Sequence, residues 1–254
     1  MKLSQISIAT LLSLAAVGAF AQAKAPEPDY TLSYNIGANT DYRYRGISQS
    51  RLSPAVQGGV DFAHKSGFYL GAWGSTIKWI KDAGGKADVE IDVYGGYKGS
   101  INSSVTYDVG VLTYLYPSHK LAVSPNTTEL YGALTVGPVT AKYSHSTTRL
   151  FGFSGSKGSG YLDVTANFDM GNGWSVAPHI GYQKVGSAPN VDNRAFSYVD
   201  YSVAVNKDLG NGLVVSGSVI GADVDRINGV PAYVSPKGKN LGRTGLVVGL
   251  KYSF

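Results

Sequence analysis

From residue 30 to the end, apolar and polar residues alternate with a period of two in about twelve runs. The connections between those runs are short and long by turns. The clearest run is Asp88 to Lys98: Val89, Ile91, Val93, Gly95 and Tyr97 fall on one face, and Asp88, Glu90, Asp92, Tyr94 and Lys98 on the other. Successive side chains of a strand point to opposite faces, so such a run has one apolar and one polar surface. The last run repeats it, with Thr244, Leu246, Val248, Leu250, Tyr252 and Phe254 set against Arg243, Gly245, Val247, Gly249 and Lys251. The runs are 30–42, 54–64, 68–79, 87–98, 104–116, 126–136, 139–146, 160–169, 174–184, 197–208, 213–222 and 242–254. Short turns lie at 65–67, 99–103, 137–138, 170–173 and 209–212, and long polar connections at 43–53, 80–86, 117–125, 147–159, 185–196 and 223–241.

In an up-and-down meander, alternate connections emerge at opposite ends. Every long loop is therefore at one end and every short turn at the other. An even strand number, short periplasmic turns and long external loops describe an outer-membrane barrel. The expected fold is an all-β, antiparallel up-and-down transmembrane β-barrel of about 12 strands, with both termini on the periplasmic side. A soluble sandwich or small barrel would also alternate. Its apolar face, however, would point inward, and a ring of twelve strands is too wide for side chains to fill. The polar face here carries Asp88, Glu90, Asp92, Asp108, Glu129, Lys142, Asp163 and Asp200, which suits water. Composition agrees: only 15% of residues are charged, with 33 Gly and 18 Tyr, against about 25% charged in soluble domains. Tyr42, Trp174, Tyr182, Tyr252 and Phe254 lie near strand ends on the apolar register, where amphipathic rings favour a membrane interface. Strand propensity alone also draws tyrosine.

Residues 1–23 have the order of a secretory signal peptide: Lys2, an apolar stretch over 6–20, then Ala21-Gln22-Ala23. Cleavage after Ala23 would leave 24–254 as the barrel domain, exported through the periplasm to the outer membrane of a Gram-negative cell. The net charge of +5 includes no basic run, so no nucleic-acid partner is expected. Arg51, Lys81, Lys120, Arg149, Lys157, Arg226 and Lys237 instead sit in the long connections. Cationic loops there would favour lipopolysaccharide phosphates beside the outer-membrane lipid, although loop solvation accounts for them equally. At the C-terminus, Val248, Leu250, Tyr252 and Phe254 resemble the signal read by the barrel assembly machinery.

The segment Asp41-Tyr42-Arg43-Tyr44-Arg45-Gly46-Ile47-Ser48-Gln49-Ser50 resembles the TorF family of proteobacterial outer-membrane proteins. Val56-Gln57-Gly58-Gly59, Gly67-Phe68-Tyr69, Trp73-Gly74 and the run from Glu90 to Tyr97 continue the likeness, which is dense over 39–116 and looser beyond. The resemblance implies a signal-peptide-bearing outer-membrane barrel of porin type and carries over no binding residues.

With polar faces inward, Asp88, Glu90, Asp92, Asp108 and Glu129 are expected to form an acidic wall. Arg43, Arg45, Arg243 and Lys251 would form a basic wall nearly opposite, Arg43 and Arg45 only if the first strand extends so far. Opposed charged walls set up a transverse field that orients dipolar solutes. The function expected is a porin-like channel for passive diffusion of small hydrophilic solutes or ions. The alternative is a structural or adhesive barrel whose inward charges pair into a plug. A lipid-modifying enzyme is the third reading, and it turns on His145, outward on its strand among Ser144, Ser146 and Thr147. Immediate neighbours on a strand rarely place a nucleophile within reach of its base, so no enzyme is expected. His179 reads as a polar lumen residue. Zero Cys removes thiolate chemistry. Asp223 to Gly229 departs from calcium-loop spacing, and no cofactor, metal or catalytic residue is assigned.

Overall fold

A computed structural model describes residues 28–254. The signal-peptide segment 1–23 lies outside the described residues. In chain order the strands are β1 (Tyr30–Asn39), β2 (Arg43–Tyr44), β3 (Ile47–Ser48), β4 (Ala55–His64), β5 (Phe68–Thr76), β6 (Val89–Ser100), β7 (Val105–Leu115), β8 (Thr127–Val136) and β9 (Val139–Ser146). There follow β10 (Gly160–Ala166), β11 (Phe168–Gly171), β12 (Trp174–Lys184), β13 (Tyr198–Asp208), β14 (Leu213–Asp223), β15 (Arg226–Ile227), β16 (Val230–Pro231) and β17 (Gly245–Ser253). A one-turn helix, α1 (Trp79–Asp82), sits in the second long loop.

Each long strand pairs antiparallel with its neighbours, from β4 round to β14, and β1 pairs with both β4 and β17. Strands β10 and β11 both pair with β12 and together fill one position in the wall. The ring therefore closes on twelve positions, as the alternating connections require. The register breaks between Asp169 and Gly171, where β11 bulges into its turn. Four runs end two or more residues from expectation: the first stops at Asn39 rather than 42, the third at Thr76 because α1 follows, β6 runs on to Ser100, and the eighth breaks after Ala166 and resumes as β11 to Gly171.

Alternation turns one residue in two outward. Leu32, Ile36, Phe62, Leu70, Leu134, Ile180, Val203, Leu246 and Leu250 are all exposed, Leu246 at 70%. An apolar belt around a whole ring is favourable only against lipid. Trp174, Tyr182, Tyr252 and Phe254 lie on the same outer face. Phe254 stacks on Tyr34 at 5.7 Å, beside the Tyr30–Phe62 stack at 5.6 Å. Tyr42 departs from the expected register: it is buried inside the mouth, because the strand ends three residues before it.

Many tyrosines face the lumen instead of the interface. Tyr94, Tyr69, Tyr131 and Tyr161 lie flat over Gly71, Gly96, Gly110 and Gly181 of adjacent strands, where a Cβ would strike the ring. Glycine on one strand makes room for a tyrosine from the next. This pairing gives a structural role to four of the 33 Gly and four of the 18 Tyr.

Candidate functional site

Beyond Asn39 the chain turns into the barrel. Strands β2 and β3 form a hairpin, with Arg43 opposite Ser48 and Tyr44 opposite Ile47. Its two-residue turn is Arg45-Gly46, at φ +47° and +77°. Two left-handed residues make a type I′ turn, whose twist suits a tight hairpin. Gly46 adopts this freely, whereas Arg45 does so at a cost on the order of 1 kcal/mol. The base is fastened by Asp41, which accepts from Arg43 Nε (2.5 Å) and Ser48 Oγ (2.6 Å).

The hairpin reaches the wall in several directions. Tyr42 donates to Glu90 of β6 (2.5 Å), which also accepts from Tyr116 (2.7 Å). Tyr44 donates to the Tyr114 hydroxyl of β7 (2.8 Å). Arg45 crosses to Glu129 of β8, with both carboxylate oxygens engaged at 3.1 and 2.7 Å, and to Gln183 of β12 (2.6 Å). Its guanidinium also lies 4.1 Å from the Tyr161 ring centre. Arg43 donates to the Leu241 and Arg243 carbonyls before β17 (3.0 and 3.1 Å). Gly46 packs against Asp200 and Ala222 so closely that a Cβ would sit 2.7 Å from Asp200 Cβ. Burial, reinforced by the Glu90 carboxylate, pushes the Tyr42 phenol well above its ordinary range, so it stays a donor. Glu129 is 2% exposed and Arg45 7%. The outer mouth is crossed by a pinned strap.

The expected walls are rearranged by this strap. Glu90, Asp92, Asp108 and Glu129 do face inward on β6, β7 and β8. Asp88 precedes β6, is exposed, and pairs with Lys81 at 2.8 Å, whose hydrogen bond lowers its pKa. Arg43 and Arg45 lie in the hairpin because β1 stops early. Arg45 meets Glu129 directly instead of facing it across water. Arg243 lies exposed before β17, and Lys251 lies on the inward register at the short-turn end. The four basic residues thus form no wall. Val248, Leu250, Tyr252 and Phe254 share the outer face.

Beneath the hairpin lies a cavity of 260 Å³ lined by Arg45, Lys142, Tyr161, Asp163, His179 and Asp200, among others. His179 is held between two carboxylates, Nε2 at 2.7 Å from Asp200 and Nδ1 at 3.3 Å from Asp163. Tyr161 donates to Asp200 at 3.1 Å. Lower down, Tyr69 donates to Asp108 (2.6 Å) and Tyr94 to Asp61 (2.5 Å). Phenols thus serve as the usual partners of the lumen carboxylates. Asp163 instead accepts from Thr165 (2.9 Å), and Asp92 has Oδ1 buried and without a hydrogen bond among the described residues. His145 points to the outside beside Tyr143, with ring centres 6.4 Å apart, while Ser144 and Ser146 face inward and are buried. The serines and His145 are on opposite faces, so the arrangement lacks a nucleophile–base pair there.

The closed twelve-strand antiparallel ring is the fold of known porins. The KdgM porin superposes with a TM-score of 0.57 at 11% identity, covering 87% of this chain and 99% of that one. The NanC porin does so at 0.53 and 12% identity, covering 87% and 99%. At such identities the likeness is one of fold. The chain itself belongs to the family described as bacterial protein of unknown function (Gcw_chp), which it matches over residues 22–254. No curated protein matches it significantly.

Proposed function

We propose that the protein is an outer-membrane channel for passive diffusion of small hydrophilic solutes or ions, with the 41–50 hairpin as its constriction. The carrying observation is the cavity under the hairpin, where Lys142, Asp163, His179 and Asp200 surround space instead of an apolar core. Charged groups in the middle of a membrane ring are favourable only around water. The porin-like fold and the TorF resemblance support the same reading. Purified protein in planar bilayers should give discrete conductance steps. No steps at any voltage would overturn the channel reading in favour of a structural barrel.

The charge of the lumen favours cations. Inward carboxylates at Asp61, Glu90, Asp92, Asp108, Glu129, Asp163 and Asp200 outnumber Arg45, Lys98, Lys142 and Lys251. The KdgM porin is known in complex with disordered oligogalacturonate; this acidic lumen suits neutral or cationic solutes better than such an anion. Asp92→Asn removes the one lumen carboxylate oxygen that is buried and unpartnered among the described residues. It should lower the cation-to-anion permeability ratio by about twofold, read from reversal potentials in a salt gradient. An unchanged reversal potential would remove Asp92 from the path.

Export, membrane insertion and surface contacts follow from the same reading. The leader would direct the chain to the periplasm, and the terminal aromatic strand would be read by the barrel assembly machinery. Exposed basic loops would meet lipopolysaccharide, although Arg51 and Lys81 are already paired with Asp82 and Asp88. Deleting Phe254 should sharply reduce folded protein in outer-membrane fractions, measured by heat-modifiable gel mobility. Wild-type levels would reject the assembly-signal reading.

A further inference from the structure

A second, larger cavity of 450 Å³ lies on the outer side of the hairpin, at the long-loop end. Binding pockets for small molecules fall in the range of roughly 300–1,000 Å³. Its lining has a character that a path for ions or sugars does not require. On one side Phe151 packs edge-on to Tyr44 (5.5 Å) and Trp79 (6.3 Å). On the other, Tyr198 packs edge-on to Tyr233 at 5.3 Å. Both groups line the same cavity, and no ring pair joins Phe151 to Tyr233 or Tyr198 among the described residues. Aromatic rings prefer edge-to-face or offset partners 4.5–7 Å apart, so a flat ring placed between the two groups would find partners on both sides.

Charge and hydrogen bonding narrow the occupant further. The one charged lining residue, Asp82, is engaged by Arg51. A charged ligand would therefore lose water without gaining a counter-ion. Two neutral polar groups remain for use. Gln49 spends its Nε2 on the Ile47 carbonyl (3.0 Å), leaving Oε1 as an acceptor. The Tyr198 hydroxyl has no hydrogen-bond partner among the described residues, although its neighbour Tyr233 donates to the Phe196 carbonyl (2.8 Å).

We propose that this cavity binds a small uncharged aromatic molecule carrying a hydroxyl group, that is, a simple phenol, on the outer face of the hairpin. The two aromatic groups hold the ring, and Gln49 and Tyr198 hold its polar substituents. Tyr44 lines both this cavity and the charged one beneath, so an occupant rests directly on the constriction.

The test is calorimetric titration of the purified full barrel in detergent with 4-hydroxybenzamide, which is neutral, and with 4-hydroxybenzoate, its anionic counterpart. The amide should bind saturably, and the anion at least about tenfold more weakly because its carboxylate would be buried unpaired. Tyr198→Phe, which keeps the ring, should weaken the amide by about fivefold through loss of one hydrogen bond. Phe151→Ala should weaken it further, with heat-modifiable mobility confirming that both variants are folded. Absence of saturable heat with the amide, equal affinity for the anion, or wild-type binding by both variants would overturn the proposal. Ion conductance without any phenol is measured separately, so failure here leaves the channel reading standing, and the reverse holds too.

Discussion

Arg45→Ala should raise single-channel conductance several-fold. The side chain spans from the hairpin tip to Glu129 and Gln183, and its guanidinium fills the space between Tyr44 and Tyr161. Removing it vacates that volume and leaves the Glu129 carboxylate, 2% exposed, without its counter-ion. Breaking one side of a buried pair costs about 3–5 kcal/mol, and the cost is relieved when water enters beside Glu129. Water entry at that point is what a wider pore means. A double replacement, Arg45→Met with Glu129→Leu, sets charge apart from blockage. Apolar replacement of a buried pair is often neutral or stabilising, so the mouth should stay closed and conductance should remain near the wild-type value. If Arg45→Ala conducts like the wild type, the hairpin is not the constriction.

Gly46→Ala should have an effect of similar size by a different route. At φ +77° an added Cβ would meet Asp200 Cβ at 2.7 Å, the Gly221 carbonyl at 2.7 Å and Ala222 Cβ at 3.0 Å. The left-handed conformation costs about 1–2 kcal/mol for a residue with a side chain, and overpacking adds roughly 1–3 kcal/mol. All three contacts are with strand atoms that cannot swing aside, so the tip must lift away from β13 and β14. The ring itself keeps its hydrogen bonds, so heat-modifiable mobility should persist while channel recordings become larger and noisier. Unaltered recordings would mean that the tip tolerates the shift without leaving the wall.

Most of the ring was legible because period-two alternation and connection length are local properties. The runs 139–146 and 174–184 coincide with β9 and β12, and others differ by one to three residues at an end. The hairpin was not legible, although its residues were. Asp41 to Ser50 stood out as a motif, yet 43–53 read only as a long polar connection, with Arg43 and Arg45 on the lumen register if the first strand ran on. What stops β1 at Asn39 is tertiary: the Thr40 amide is still held by the Val248 carbonyl, and then Asp41 gathers Arg43 and Ser48 inward. An Arg-Gly turn is a weaker hairpin signal than Asn-Gly or Asp-Gly, because arginine enters the left-handed region reluctantly. Arg45 accepts that conformation in exchange for contacts with β8 and β12, strands far away in sequence. The inward register of Glu90, Asp92, Asp108 and Glu129 could be read from the strands. The partners of Glu90 and Glu129 could not, since Tyr42, Tyr116 and Arg45 reach them from outside the ladder.

The anchoring of the strap also bears on the order in which the molecule can be completed. Arg43 is held by the Leu241 and Arg243 carbonyls, which lead directly into the last strand, and the closing seam joins β1 to β17. The first loop therefore cannot find its final seat until the end of the chain has been threaded into place. Until that seam closes there is no ring for the strap to cross, and its anchors on β6, β7, β8 and β12 hold it without the one at the end of the chain.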